Sequence, residues 1–124
     1  MNEENSRRKS QALGARGEAL AARFLVAKGY TVLARNWRTQ HGELDLIVSK
    51  AGTVVAVEVK TRRGLNHGHP LEAITARKCA RLKRLLLEWV QKQRMPHPHL
   101  RIDAIGITLR DDETPRIDHL RGIQ

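Results

Sequence analysis

The chain has 124 residues, enough for one domain with a real core and too few for two. Its 23 Lys and Arg against 13 Asp and Glu leave a formal charge of +10, an excess that calls for a polyanion, with nucleic acid as the leading partner. No apolar run approaches the ~20 residues of a membrane span and the opening MNEENSRRKSQ lacks an apolar signal core, so the expectation is no membrane and a cytoplasmic protein. Cys79 stands alone, in keeping with a reducing compartment.

The first ten residues read as a flexible segment and 11 to 124 as a single domain. Leu13, Gly17, Leu20, Phe24 and Ala27 recur at helical spacing up to a stop at Gly29, which predicts a helix over about 8–28. Gly14 and Gly17 weaken that helix; glycines on one helical face mean either that something packs close there or that the helix starts later than placed. Residues 30–37 (YTVLARNW) read as a strand, followed by two alternating runs, ELDLIVS at 43–49 and TVVAVEVKT at 53–61, that form a hairpin. A second helix spans about 75–94, with Thr75 as N-cap, an apolar stripe of Cys79, Leu82, Leu86, Trp89 and Val90, and a stop before Pro96. Leu100 to Ile107 make a further strand, and Ile117 to Leu120 a short extended end. Helix, three strands, helix, strand predicts an α/β (α+β) domain with helices packed on a mixed sheet.

A hairpin turn centred on Ala51 and Gly52 pairs Ser49 with Val54. Counting outward sets Asp45 opposite Glu58 and Glu43 opposite Lys60, four charged side chains on one patch. A slip of one residue would send Asp45 and Glu58 to opposite faces. Two carboxylates so close repel unless a cation lies between them. Asp45, Glu58 and the Val59 carbonyl suffice for Mg²⁺ or Mn²⁺, which take oxygen ligands and keep several waters. Lys60 would then lie beside the metal, able to orient water or stabilise charge on a phosphate. The competing reading is a set of surface ion pairs, each worth about 0–1 kcal/mol. Against it, Glu58 and Lys60 interrupt an otherwise apolar strand.

The segments G-A-R-G-E at 14–18, K-G-Y at 28–30, R-N-W-R at 35–38, G-E-L-D-L-I at 42–47 and V-E-V-K-T-R at 57–62 carry a resemblance that nearly spans the chain. G-H-P-L-E-A-I at 68–74, R-K at 77–78 and R-I-D-A-I at 101–105 continue it. Together they resemble the YraN family of small bacterial proteins, which is similar to the PD-(D/E)XK nuclease superfamily and to archaeal Holliday junction resolvases. The resemblance implies a restriction-endonuclease-like αβββαβ core and a metal-dependent endonuclease acting on structured or branched DNA. It also implies that Glu18 joins Asp45, Glu58 and Lys60 as catalytic residues, and by analogy with junction resolvases a two-fold homodimer. His67 departs from the family pattern, where an aromatic residue is expected before Gly68.

Arg62 and Arg63 beside the hairpin, and Lys78, Arg81 and Arg84 on the second helix, are candidates to track a phosphate backbone. Only four aromatic residues are present, too few for a platform that stacks single-stranded bases. His67 with His69, and His97 with His99, close no zinc ligand set of usual spacing. Asp111, Asp112 and Glu113 lack calcium-loop spacing. The alternative functions are a non-catalytic nucleic-acid-binding module that retains the nuclease fold, and a protein whose basic helix docks an acidic partner.

Overall fold

The computed structural model describes residues 2–64, 68–96, 98–111 and 113–123. His67, His97 and Asp112, all named above, lie outside the described residues. The elements are α1 (Glu3–Ala27), β1 (Thr31–Thr39), β2 (Gly42–Lys50), β3 (Thr53–Arg63), a 3₁₀ turn (Pro70–Ala73), α2 (Ala76–Gln93), β4 (His99–Leu109) and β5 (Arg116–Leu120). The strands form one sheet in the order β1-β2-β3-β4-β5. β3 and β4 run parallel and every other pair antiparallel. This is an α+β fold with a mixed sheet between two helices, consistent with a restriction-endonuclease-like core, to which β5 adds an edge strand.

Two cores separate the faces of the sheet. Val55, Val57 and Val59 of β3 pack with Ala21, Ala22 and Leu25 of α1, whereas Val54 and Ala56 pack with Leu82, Leu85, Leu86 and Trp89 of α2. Alternation along β3 thus assigns α1 to one face and α2 to the other. In β2 the alternation breaks, because Leu46 belongs to the α1 core and Leu44, two residues away, to the α2 core. The residue between them is Asp45.

Helix α1 begins at Glu3, earlier than the predicted 8, so most of the expected flexible segment is helical. The Asn2 side chain accepts the Asn5 N–H at 2.9 Å, Glu3 and Glu4 occupy the first turn, and Glu4 pairs with Arg8 at 2.6 Å. These devices stabilise a helix end that buries no apolar face, which is why hydrophobic periodicity gave no sign of it. At the other end Gly29, with φ +95°, donates to the Val26 carbonyl while Tyr30 donates to that of Leu25, both at 3.0 Å. That bonding closes the helix in a Schellman motif. Helix α2 matches its predicted span, with the Thr75 hydroxyl accepting the Lys78 N–H at 3.1 Å.

The β2–β3 register agrees with the one read from the sequence. Ala51 and Gly52 both have positive φ, +49° and +79°, as a two-residue hairpin turn requires, and Ser49 pairs with Val54. The ladder continues to Leu46↔Val57 and ends there. Glu43 is consequently not paired with Lys60; it stands opposite Arg38 of β1, whose guanidinium donates to it at 3.2 Å.

Candidate functional site

Beyond Val57 the two strands fork. In place of a main-chain partner, the Val59 N–H donates to Asp45 Oδ2 at 2.9 Å. The N–H and C=O of one residue leave an extended strand on the same edge, so the Val59 carbonyl also faces the fork. The twist of β2 at Asp45 and the loss of pairing at Glu58 therefore coincide, and together they open the sheet where two carboxylates meet.

Glu58 is only 8% exposed. Burial, then the Asp45 charge, then a hydrogen bond shared with the Asp45 carboxyl push its pKa up to about 7, against the opposing charges of Lys78 and Lys60. Lys78 Nζ of α2 lies 3.9 Å from Glu58 Oε1, with its side chain 20% exposed. Burial, and then its contact with the Lys60 amine, lower the Lys78 pKa, while the Glu58 charge opposes the shift. Lys78, read from the sequence as part of a basic surface, thus belongs to the carboxylate cluster itself.

Glu18 reaches the same cluster from α1. Burial raises its pKa, followed by the charges of Asp45 and Glu43, and a hydrogen bond from Asn36 acts the other way. With its amide oriented as its neighbours require, Asn36 donates to Glu18 Oε1 at 2.9 Å and to Glu43 Oε1 at 3.3 Å. Asn36 has φ +49° within β1, between the pairs Arg35↔Leu46 and Trp37↔Leu44. Asparagine tolerates this left-handed conformation better than most residues. Sequence reasoning missed Asn36 as a site residue; the R-N-W-R segment was the available signal, and nothing in it specified the backbone twist.

Gly17 sets the approach of α1. A Cβ there would overlap Thr61 Oγ1 and sit 2.9 Å from Thr61 Cβ, so the helix crosses β3 at a glycine and the next residue, Glu18, is carried to the fork. Gly14, the other glycine expected to mark a close neighbour, has nothing within 4 Å of its would-be Cβ.

The cluster therefore brings together Glu18, Asp45, Glu58 and Lys60, with Glu43, Asn36 and Lys78 added. Among the described residues no three His, Cys, Asp or Glu side chains form a ready-made metal-ligand group. Asp45, Glu58 and the Val59 carbonyl nevertheless offer hard oxygen donors, and a buried Glu58 carboxyl set against a half-buried Asp45 has the repulsion that a divalent cation relieves. Arg81 is exposed one turn beyond Lys78 and Arg84 is exposed further along α2; Arg62 is half-buried and Arg63 exposed at the end of β3. His69, from the zinc reading, instead bonds Asp118 through Nε2 at 2.9 Å.

No helix among the described residues is long and apolar enough to cross a membrane. Residues 17–107 match the model of the uncharacterised protein family UPF0102. A UPF0102 protein of Nocardia farcinica is 50% identical over 113 residues, covering 91% of this chain and 89% of its own length. A UPF0102 protein of Leifsonia xyli is 48% identical over 115 residues, covering 93% and 98% respectively. One from a Nocardioides strain is 48% identical over 113 residues, or 91% of each chain. The motifs that resembled the YraN family and this match agree, and the chain belongs to the uncharacterised protein family UPF0102, the YraN family.

Proposed function

We propose that this protein is a Mg²⁺- or Mn²⁺-dependent endonuclease that hydrolyses phosphodiester bonds in nucleic acid, with structured or branched DNA as its substrate. The observation that carries the reading is the buried Glu58 carboxyl set against Asp45 in a forked sheet, with two lysines beside it. Asp45, Glu58 and the Val59 carbonyl would hold the cation. When bound, it supplies Lewis acidity toward a phosphoryl oxygen and makes a neighbouring water more acidic. Lys60 orients the attacking water and stabilises negative charge that develops on the phosphate. Glu18, steadied by Asn36, accepts a hydrogen bond from a water at the fork. Arg62, Arg63, Arg81 and Arg84 hold the flanking backbone, while Lys78 offsets the charge of Glu58.

The test is cleavage of branched and linear DNA with Mg²⁺ or Mn²⁺ by the parent protein and by Lys60→Ala and Asp45→Asn. Metal-dependent cutting that both substitutions abolish is the expected result. If no cutting depends on the metal and on Lys60, the enzyme reading fails.

One observation favours a second reading, a binding module without turnover. Lys78 lies 3.9 Å from Glu58 and already offsets carboxylate charge without a metal. On that reading Asp45→Ala leaves DNA affinity intact, while Arg81→Ala with Arg84→Ala weakens it and flattens its salt dependence.

A further inference from the structure

We propose that the cleft between the N-terminal half of α1 and the end of β3 is a second phosphate-binding site, which grips the backbone of the strand leaving the carboxylate fork. The proposal rests on the nucleic-acid reading above and extends it to α1. The cleft has a volume of about 340 Å³ and is lined by Lys9, Ser10, Leu13, Thr61, Arg62 and Arg63. It adjoins a hollow of about 530 Å³ that shares Lys9, Leu13 and Arg63 and adds Ala12 and Arg16. Among the described residues, three cationic side chains, Lys9, Arg16 and Arg63, face the two hollows, and no carboxylate lines them.

Alternation along β3 decides which cations face the cleft. Thr61 and Arg63 leave the α1 side of the sheet, Thr61 against Gly17 and both paired with the α1-core residues Ile107 and Leu109, whereas Arg62 leaves the opposite side with its partner Thr108. Lys9 and Arg16 of α1 and Arg63 of β3 are thus the charges the cleft presents, beside the Ser10 and Thr61 hydroxyls, and a phosphate oxygen matches guanidinium donors in charge and geometry.

Position supports the same occupant. Arg63 follows Lys60 along β3 by about 10 Å at ~3.3 Å per residue. A nucleic-acid strand rising about 3.4 Å per nucleotide covers that in about three nucleotides. Gly17 against Thr61 locks α1 to β3 between fork and cleft, so the spacing is fixed by the fold. On the other flank of the fork, Arg77, Lys78 and Arg81 line a hollow of about 310 Å³ at the start of α2. The carboxylates are thus bracketed by cations on both helices. Leu13 is the largest apolar group in the α1 cleft, which offers no ring for a base, so it recognises backbone and not sequence. Cations at the far end of α1 differ: Lys50 donates to the Lys28 carbonyl at 2.7 Å and lies over the Tyr30 ring, and Lys28 lies over the Phe24 ring.

The test uses Arg16→Ala/Arg63→Ala, two exposed positions, with fold checked by circular dichroism, and labelled DNA junctions and duplexes titrated by anisotropy over a range of salt. The slope of log affinity against log salt should fall by about 0.9 per lost phosphate contact. Arg16→Lys/Arg63→Lys should keep the parent slope. Arg23→Ala/Arg121→Ala, an equal loss of exposed charge elsewhere, should change it less. An unchanged slope in the first variant, or an equal loss in the control, overturns the proposal. Should Arg81→Ala/Arg84→Ala weaken binding while Arg16→Ala/Arg63→Ala does not, the cleft is excluded and the nucleic-acid reading survives. A parent protein with no salt-dependent affinity for DNA or RNA overturns both.

Discussion

Lys78 Nζ stands 3.9 Å from Glu58 Oε1, so α2 supplies a cation to a carboxylate that β3 buries. That contact is the main electrostatic relief available to Glu58 from the helix side, and it is incomplete, because burial and Asp45 still hold the carboxyl near pH 7. Lys78→Met should push the Glu58 pKa higher still. Carboxyl carbon shifts followed by NMR titration check this, and a midpoint that stays put or falls would contradict the assignment of Lys78 to the cluster.

A raised acid pKa is also a statement about stability. Unfolded, Glu58 has its ordinary value of 4.5; folded, it titrates at about 7. The folded state therefore binds the proton more tightly. Below pH 4.5 the group costs nothing, the penalty grows between the two values, and above pH 7 it is present in full. Glu58→Gln removes it and should stabilise the protein on the order of 2 kcal/mol at pH 8, with the gain fading toward pH 4. Urea melts at the two pH values measure the difference. A gain independent of pH would refute the electrostatic cause.

Part of this site was legible in the sequence because a strand's period is short and its turn is recognisable. With Ala51 and Gly52 as the turn, Ser49 pairs with Val54 and Asp45 must approach Glu58. What the count could not give is that pairing stops at Val57, which turns the Glu43–Lys60 opposition into a fork. Lys78 and Asn36 were hidden for different reasons. A lysine on a basic helix carries no mark of which turn faces a carboxylate, and the left-handed backbone of Asn36 arises from the twist of β1 against β2, a tertiary feature. The first turns of α1 leave no periodic signal because Glu3 to Ser10 bury nothing.

Asn36 does two things that substitution can separate. Glycine accepts φ +49° but has no amide, so Asn36→Gly should fold and yet release Glu18. Asn36→Val keeps neither, and a β-branched residue in that conformation should cost about 1–2 kcal/mol. Asn36→Asp keeps the shape but sets another acid against Glu18 and Glu43, raising the Glu18 pKa further. Thermal melts rank the first two variants and an NMR titration reads the third. Equal melting temperatures for Gly and Val would remove the case for backbone strain.

Gly17 and Thr61 form a second separable pair. Gly17→Ala drives a methyl into Thr61, and overpacking of this kind typically costs about 1–3 kcal/mol. Thr61→Ala removes the hydroxyl and the methyl but leaves Cβ, so the double variant should recover part of the loss. A double-mutant cycle with denaturant melts reads that coupling. Strict additivity would mean that α1 is not seated on Thr61.

Asp103 shows the opposite electrostatic sign to Glu58 and should contribute to the acid limb. It is fully buried, and burial alone would raise its pKa; hydrogen bonds from Arg101, the Gly122 N–H and His119, with the Arg101 charge, outweigh that and hold it below the usual carboxylate range. Arg101 donates through Nε to Oδ1 at 2.8 Å and through Nη2 to Oδ2 at 3.0 Å, and Nη2 also reaches the Tyr30 hydroxyl at 2.8 Å. His119 Nε2 lies 2.8 Å from Oδ2, and the Gly122 N–H donates to Oδ1 at 2.9 Å. One carboxylate thus ties β4 to β5, to the segment after it and, through Arg101, to Tyr30 ahead of β1. Because the folded pKa is depressed, this stabilisation is fully present above the unfolded value of 3.8 and is lost as pH falls through the lower folded value. Asp103→Asn keeps the shape but leaves the Arg101 charge without its partner, and should destabilise by about 3 kcal/mol at neutral pH. The variant's melting temperature should also fall less steeply than the parent's at the acid end. If the two acid limbs run parallel, Asp103 is not the group whose protonation loosens the fold.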